Sequence, residues 1–302
     1  MTIQQILRDA GSYLKERNIE DPSREAGLLL SWYLKKDLGY LYGHMDMELD
    51  ENTISGFMSL IERRGRHEPY GYITGQCEFM SLTFEVNPAV LIPRADTEIL
   101  AEAVLFALGK FTLSASEAQI PSLPKKKIYR GLDMGTGSGC LAISIAKYMP
   151  SIIMDAVDIS EEALNTARRN AIKHKVINRV NFFRDDILSD SFISRYTEGN
   201  KYDIIVSNPP YIPDGDIPTL MPSVKDYEPY NALAGGEDGL IFYRAIAKLS
   251  EKLLADDGIL AVECGFDQAE IIRDIFAREK LKSVFLKDFS GINRVIVAIK
   301  QV

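Results

Sequence analysis

Hydrophobic positions along the chain predict helices first and alternating strands and helices afterwards. Apolar residues recur at three- and four-residue spacings from Ile3 to Leu14, which is typical of a helix with one buried stripe. The segment from Asp21 to Glu25 has the residue types of a helix start, and a further helix is predicted over 53–64. The pattern therefore predicts a small N-terminal helical domain.

A short hairpin is predicted between this helical domain, residues 1–75, and the rest of the chain. Residues 69–75 break the helical pattern, and apolar residues then alternate with polar ones up to Val86. Residues 76–92 are therefore interpreted as a hairpin linker. Beyond it, Asp96 or Thr97 is expected to cap the helix over 99–108.

The remaining residues, 93–302, alternate strands with helices. The strands are predicted at 128–134, 152–157, 180–183, 204–206, 258–263, 283–287 and 294–299. This alternation requires a largely parallel sheet, whereas the short connection 288–293 predicts that the last two strands are antiparallel. The predicted fold class is α/β, a seven-stranded, mostly parallel, doubly wound sheet of Rossmann-like type.

A glycine-rich loop follows the first predicted strand of this domain and precedes a predicted helix. It consists of Gly135, Thr136, Gly137, Ser138 and Gly139. In that order of elements the backbone approaches a ligand closely and helix N–H groups point at it. The G-x-G-x-G spacing, with Asp133 before it, departs from the G-x-G-x-x-G of dinucleotide enzymes. The departure favours a nucleoside bearing an amino-acid tail.

Acidic residues at the ends of the next two predicted strands have the chemistry to bind a nucleoside. Asp158 follows the glycine loop by about 20 residues, where a carboxylate can accept both hydroxyls of a ribose. Asp186 can accept from an adenine amino group while Ile187 covers the ring. Each carboxylate also has a local alternative, because Asp158 can cap the following helix and Asp186 can belong to a turn.

The tetrapeptide Asn208-Pro209-Pro210-Tyr211 ends the fourth predicted strand. Two consecutive prolines forbid continuation of sheet or helix and provide no N–H donor. The Asn208 side-chain oxygen and the proline carbonyls accept hydrogen bonds, so this corner suits a planar NH2 group, with the Tyr211 ring against its flat face. Attack by such a poorly nucleophilic nitrogen needs positioning more than a strong base. An ordinary proline-rich turn is the alternative.

Composition narrows the classes of partner. Lys and Arg number 35 against 43 Asp and Glu, a net charge of −8, which argues against binding that depends on many nucleic-acid phosphates. The three cysteines and three histidines share no ligand spacing, so neither a disulfide framework nor a metal site is expected. No signal peptide or membrane span is evident, and we expect a cytoplasmic monomer.

These motifs together resemble those of a known enzyme family. The glycine loop resembles the S-adenosylmethionine loop of class I methyltransferases, and the tetrapeptide resembles their amino-methyltransferase signature. Three further features narrow the match, namely Ile92-Pro93-Arg94-Ala95-Asp96-Thr97-Glu98, the motif Glu228-Pro229-x-x-Ala232-Leu233-x-Gly235-Gly236-x-Asp238-Gly239, and the helical domain in front. The set resembles the peptide chain release factor glutamine methyltransferases, the PrmC/HemK family, over essentially the whole chain.

The resemblance implies methylation of the side-chain nitrogen of the glutamine in the Gly-Gly-Gln motif of class 1 release factors. It implies that the helical domain recognises that protein substrate. Carried onto this sequence, the catalytic residues are Asn208, Pro209, Pro210 and Tyr211, and the S-adenosyl-L-methionine ligands are residues 135–139, Asp158, Asp186, Ile187 and Asn208. Ile187 departs from the family, which often has a bulky aromatic beside the adenine.

Three other readings remain open from the sequence. The main rival is a methyltransferase acting on adenine N6 in DNA or RNA, because that amine presents the same two donors. The net charge and the absence of an evident target-recognition insertion argue against it. A nicotinamide-binding Rossmann enzyme is disfavoured by the glycine spacing, and a non-catalytic scaffold is disfavoured by the intact tetrapeptide.

Overall fold

The computed structural model of the protein describes residues 1–111, 120–197 and 201–301. The chain divides into two compact units. One consists of Met1–Gln76 together with Met221–Tyr227, and the other of Cys77–Leu220 and Glu228–Val302. The short segment 221–227 joins the first unit through a hydrogen bond from Tyr227 Oη to the Arg66 carbonyl, 2.8 Å long.

The first unit is built from helices. They are α1 (Ile3–Lys15), α2 (Pro22–Leu34), α3 (Leu38–Gly43), α4 (Glu51–Gly65) and α5 (Tyr70–Thr74), with α10 (Pro222–Lys225) from the later segment. The predicted stripe of α1 is confirmed, because Ile3, Ile6, Ala10 and Leu14 are buried. Thr2 begins this helix with a capping box shared with Gln5.

The second unit begins with a hairpin and continues as an α/β sheet. Its strands are β1 (Gln76–Phe79), β2 (Leu82–Glu85), β3 (Tyr129–Met134), β4 (Ile152–Asp158), β5 (Val180–Arg184), β6 (Tyr202–Ser207), β7 (Leu254–Glu263), β8 (Leu281–Lys287) and β9 (Asn293–Lys300). Its helices are α6 (Ala95–Ala107), α7 (Cys140–Tyr148), α8 (Glu161–Lys173), α9 (Asp190–Thr197), α11 (Ile241–Leu253) and α12 (Ala269–Arg278).

The seven-stranded sheet has the order β5-β4-β3-β6-β7-β9-β8. The first five strands of that order pair in parallel, while β9 is antiparallel to both β7 and β8. The predicted α/β class and the antiparallel final pair are therefore confirmed. The chain winds outward from β3 on one side and from β6 on the other, so the topological switch point lies between these two neighbours.

Apolar layers cover both faces of the sheet. Along β6, Ile204 and Val206 belong to one buried cluster with α6 and α7, and Ile205 belongs to the other with α11 and α12. Strands buried on both faces read as continuous apolar runs, which is why β6 was recognisable from its sequence. The sheet is thereby a rigid support for whatever its strand ends carry.

Several local predictions were wrong. Residues 69–75 contain the short helix α5 and not only a break, and α3 and α9 were not predicted. The helix expected over 99–108 begins at Ala95, and its N-cap residue Arg94 makes no side-chain capping bond. Neither Asp96 nor Thr97 therefore caps it, because both lie inside its first turn.

Candidate functional site

The predicted site residues lie at the carboxyl ends of neighbouring parallel strands. Asp158 ends β4, Gly135 follows β3 and Asn208 follows β6, and these three strands are neighbours in the sheet. Glu263, which was not predicted as a site residue, ends the next strand, β7. Adjacent strands are about 4.8 Å apart, so these groups form a row along one edge. The hydroxyl of Ser207 donates to the Met134 carbonyl at 2.6 Å and ties the middle two strand ends together.

The glycine loop is held open by backbone contacts to β4. The N–H groups of Gly135 and Thr136 both donate to the Val157 carbonyl at 2.9 Å. Gly135 and Gly137 have positive φ, and no atom lies within 4 Å of where a Cβ would stand on either. Both positions thus combine a left-handed backbone with open space in front of it, the arrangement that lets a ligand approach the main chain.

Asp133 anchors this loop from below. Its Oδ2 accepts from the Thr136 hydroxyl at 2.7 Å and from the Ala142 N–H at 3.2 Å. Burial raises the pKa of Asp133 from 3.8 to about 7. Within the described ranges, its Oδ1 and the Ser138 hydroxyl are buried polar atoms without a hydrogen-bond partner. Buried polar atoms of this kind cost free energy unless a ligand or water satisfies them.

Asp158 lies beside the glycine loop, and its two oxygens bond to different segments. Oδ2 accepts from the Gly137 N–H at 2.8 Å and Oδ1 accepts from the Ser160 N–H at 2.9 Å. Ser160, and not Asp158, is the N-cap residue of α8. Burial raises the pKa of Asp158. Each carboxylate oxygen retains a further lone pair that can accept from another donor.

Asp186 and Ile187 lie beyond the end of β5 and are half-buried. The Asp186 Oδ1 accepts from the Leu188 N–H at 2.9 Å, so the turn that the sequence allowed is present. Ile187 packs against the same apolar cluster as Tyr211. The strand order brings both residues next to Asp158, since β5 neighbours β4.

The proline corner leaves the sheet after Ser207, with Asn208 and Pro210 half-buried and Pro209 buried. In the part of the chain that the structure describes, no hydrogen bond ends on the Asn208 Oδ1 or on the carbonyl of Pro209 or Pro210. The Tyr211 carbonyl accepts from the Gln268 Nε2 at 2.9 Å. The corner is therefore fixed at its tyrosine and free to accept at its asparagine.

A buried polar pair supports Asn208 from behind. The Asn208 Nδ2 donates to the Thr97 hydroxyl at 3.1 Å, and that hydroxyl donates to the Glu263 Oε2 at 2.6 Å. Thr97 and Glu263 are only 2% and 3% exposed. Burial raises the pKa of Glu263 from 4.5 to about 7. The Tyr243 hydroxyl donates to the Glu263 carbonyl at 2.9 Å and secures the end of β7.

The downstream motif packs directly against the corner. The Ile212 N–H donates to the Leu233 carbonyl at 3.0 Å, and the Gly235 N–H donates to the Ile212 carbonyl at 2.8 Å. A Cβ on Gly239 would lie 2.4 Å from the Tyr211 carbonyl oxygen, so this position has room only for glycine. The loop thereby fixes the backbone immediately after the tetrapeptide.

An ion pair anchors the start of that motif to the segment before α6. The Arg94 Nη2 lies 2.7 Å and 2.6 Å from the two carboxylate oxygens of Glu228. The Glu228 side chain is 1% exposed, and its burial raises the pKa although Arg94 opposes the shift. Arg94 therefore makes a structural contact, and Glu98 makes another by accepting from the Met80 N–H at 2.6 Å.

Sequence reasoning did not identify Glu263 or Gln268 and assigned Thr97 to helix capping. Glu263 ends a predicted strand, and a charged residue at the carboxyl end of a parallel strand is the signal that was available. Nothing local marks Thr97 or Gln268, because their partners are far away in sequence.

Among the described residues, no helix has the length and hydrophobicity that spanning a membrane requires. No cluster of three or more His, Cys, Asp or Glu residues within those ranges has the geometry to hold a metal ion. The three cysteines are free.

Models of two known domains match the chain. Residues 5–75 match the PrmC N-terminal domain, and residues 96–220 match the methyltransferase small domain. The hMettl16 catalytic domain, solved in complex with a 3′UTR hairpin, superposes with a TM-score of 0.54 at 13% identity, covering 86% of this chain and 85% of that chain. A methyltransferase from Pyrococcus furiosus has a TM-score of 0.50 at 16% identity, covering 80% and 99%. These likenesses show the fold.

Relatives of known name match over nearly the whole length. The release factor glutamine methyltransferase of Clostridium acetobutylicum is 40% identical over 303 residues, covering 99% of this chain and 99% of the relative. The protein of the same name from Geobacter sulfurreducens is 37% identical over 296 residues, covering 98% and 95%. With the strand-end site, the helical unit and these relatives in agreement, the chain belongs to the release factor glutamine methyltransferase family.

Proposed function

We propose that this protein transfers a methyl group from S-adenosyl-L-methionine to the side-chain amide nitrogen of the glutamine in the Gly-Gly-Gln motif of class 1 peptide chain release factors. Family membership supports this reaction. The observation that carries the proposal is the pair of acceptors, Asn208 Oδ1 and the Pro209 carbonyl, that no described residue satisfies, next to the open glycine loop at the switch point of the sheet.

The residues around the glycine loop fit this cofactor. The open space at Gly135 and Gly137 accommodates a ligand against the backbone, and the unpartnered Asp133 Oδ1 and Ser138 hydroxyl lie buried at the same loop. The α7 N-terminus adds free N–H groups there. S-adenosylmethionine supplies, when bound, a methyl group activated on a sulfonium. Residues 135–139 with Asn208 would hold it.

The nucleoside part of the cofactor is assigned to the outer strand ends. Asp158 would accept from the ribose hydroxyls with the lone pairs that Gly137 and Ser160 leave free. Asp186 would accept from the adenine amino group through its second oxygen, and Ile187 would cover the ring. The strand order β5-β4-β3 supports this assignment. Adenine, ribose and amino-acid tail would lie at the ends of these three strands in the order in which they are joined in the cofactor.

The acceptor amide is assigned to the tetrapeptide. The Asn208 Oδ1 and the Pro209 carbonyl would each accept one N–H of the glutamine side chain, and the Tyr211 ring would lie against the amide plane. A carboxamide nitrogen is hardly basic, since its lone pair is delocalised into the carbonyl. The two acceptors therefore act by aligning the nitrogen and by stabilising the positive charge that grows on it, and the proton leaves late to water.

The helical unit and the setting of the reaction complete the proposal. We assign recognition of the release factor to residues 1–75, separated by the hairpin linker 76–92 from the methyltransferase domain 93–302. Its own apolar core and its match to the PrmC N-terminal domain support a separate role for this unit. Because the proposed substrate is a translation factor, we propose that the protein acts in the cytoplasm, and that it acts as a monomer.

Methyl transfer from radiolabelled cofactor to a purified class 1 release factor tests this function. We expect one labelled site, which mass spectrometry maps to the Gly-Gly-Gln glutamine. A release factor carrying asparagine in place of that glutamine is the matched control and should remain unlabelled. Label in a DNA or RNA arm, with none in the release factor, would favour the adenine methyltransferase instead.

A further inference from the structure

The side-chain amide of Asn208 fits its site in two orientations that differ only in where oxygen and NH2 point. An oxygen facing the acceptor receives an N–H, whereas an NH2 group facing the acceptor meets another donor and repels it. Binding of an acceptor NH2 group therefore requires other residues that hold the Asn208 amide in one orientation. The tetrapeptide itself contains none, because prolines have no N–H and Tyr211 is fixed through its carbonyl.

The support behind Asn208 provides that selection. An ionised carboxylate only accepts, so the Thr97 hydroxyl must donate its proton to the Glu263 Oε2, 2.6 Å away. With its hydrogen committed, the Thr97 oxygen can only accept from Asn208, 3.1 Å away. The NH2 of Asn208 is thereby drawn to Thr97, and its Oδ1 is left facing the opposite direction.

We propose that Thr97 and Glu263 are positioning residues that orient the Asn208 amide, so that its oxygen is presented to the acceptor NH2. The inference rests on the proposed function only in that the acceptor carries an NH2 group. Both residues are almost fully buried, so water does not compete for these hydrogen bonds. The relay joins α6, β7 and the residue that follows β6, and one apolar cluster packs these three elements together.

The charge of Glu263 controls the relay. A protonated carboxyl group can donate to Thr97, whose hydroxyl is then free to donate to Asn208, so the selection is lost or reversed. Burial raises the pKa of Glu263 to about 7, which places this change near neutrality. The titratable and charged groups facing Glu263 are Arg94, Asp96, Tyr211, Tyr243, Cys264 and Arg294. Asp96 raises its pKa further, whereas the two arginines lower it.

Replacing the hydroxyl of Thr97 tests the relay by kinetics. Thr97→Val has nearly the same shape and should lower kcat by about 30-fold while cofactor affinity stays within about twofold, as expected when an aligned polar contact is lost. Thr97→Ser keeps the hydroxyl and should restore kcat to within about threefold of the parent. Thr166→Val is the matched control, because it also removes a buried helical hydroxyl, one that lies away from Asn208.

A measurement without turnover separates this inference from the proposed function. In the full chain, the side-chain NH2 resonances of Asn208 should shift with pH at the same midpoint as the Glu263 carboxyl carbon. Thr97→Val should abolish the shift at Asn208. Asn170 is the control amide, since it is held by hydrogen bonds but bonds only to the backbone at Glu85 and Ser138.

Glu263→Gln completes the test, because it removes the titrating group and keeps a carbonyl that can accept from Thr97. The rate of the Glu263→Gln variant should stay constant from about pH 6 to about pH 8. The rate of the parent should fall as the pH is lowered through the same range, because Glu263 becomes protonated. Retention of the parent's acid limb in Glu263→Gln would overturn the proposal. So would a kcat for Thr97→Val within about threefold of the parent, or an Asn208 amide that does not follow Glu263. If the parent protein transferred no methyl group to a release factor, the proposed function would be contradicted. The Asn208 resonances would still show whether Thr97 and Glu263 orient this amide.

Discussion

Two neighbouring strand ends of the same sheet have opposite hydrogen-bonding character. After β3, the glycine loop leaves open space in front of its backbone and leads into the α7 N-terminus, which no side chain caps. After β6, the proline corner offers oxygens and no donor. The first end suits a ligand rich in acceptors and the second suits an NH2 group, so the switch point separates two kinds of ligand by polarity alone.

The two ends also differ in how they are made. The glycine loop depends on positive φ at Gly135, Gly137 and Gly139, which its own residues permit, and on acceptors at the end of the adjacent strand β4. The Asn208 corner depends on Thr97, which lies 111 positions earlier in the chain, and on Glu263 behind it. Local substitutions should therefore weaken the cofactor end, and distant ones should weaken the acceptor end.

The largest expected effect comes from Asn208→Ala. Loss of one acceptor for the glutamine NH2 should lower kcat by about 100- to 1,000-fold. Cofactor affinity should fall far less than kcat, because Asn208 is only one of the proposed cofactor ligands and the glycine loop is untouched. Initial rates with release factor and calorimetric titration of cofactor measure the two quantities. Asn165→Ala, on the exposed surface of α8, is the control, and equal losses in kcat and affinity would argue against the acceptor role.

Gly137→Ala should produce the converse pattern at the other strand end. Its φ of +54° strains an L-residue, and the added methyl group occupies the open space in front of the loop. We expect the cofactor Kd to rise by about 10- to 100-fold. Gly215→Ala is the matched substitution, since Gly215 is exposed and no atom lies within 4 Å of its Cβ position. Unchanged cofactor binding in Gly137→Ala would contradict the loop assignment.

Breaking the Arg94 to Glu228 pair should loosen the acceptor end from a distance. Arg94→Gln leaves a buried carboxylate without its counter-ion and should cost roughly 2 kcal/mol of unfolding free energy. The double variant Arg94→Gln with Glu228→Gln removes the unpaired charge and should recover most of that loss. Denaturant unfolding of the single and double variants measures this coupling. Additive losses would show that the two side chains do not depend on each other.

The smallest effect concerns the pH dependence of stability at the cofactor end. The pKa of Asp133 is raised from 3.8 to about 7, so the folded protein binds this proton more tightly than the unfolded chain does. The free energy of unfolding therefore decreases as pH rises between those two values. Asp133→Asn removes this penalty, and its Tm relative to the parent should increase by about 3 °C from pH 5 to about pH 6, since one pH unit corresponds to about 1.4 kcal/mol. Thermal unfolding across that range measures it, and a constant difference would contradict the raised pKa.

Much of the fold could be predicted from the sequence. The apolar run Ile204, Ile205 and Val206 identified a strand buried on both faces, and the short connection 288–293 indicated the antiparallel final pair. The insertion of β9 between β7 and β8 was not predictable, since strand order depends on pairing between distant segments. The helix α9 was missed as well, because a single short amphipathic helix gives a weak periodic signal.

For the site, the sequence determined what each strand end can bind. Glycines permit positive φ and prolines remove donors wherever the chain places them, so the chemistry of both ends was visible without coordinates. Only the tertiary structure decided which groups stand behind them. The sequence predicted Thr97 as a possible helix cap. In the folded protein its hydroxyl instead donates to Glu263, 166 positions later, at 2.6 Å. The reason is physical: backbone stereochemistry is local, whereas the orientation of the Asn208 amide is set by partners that only packing brings together.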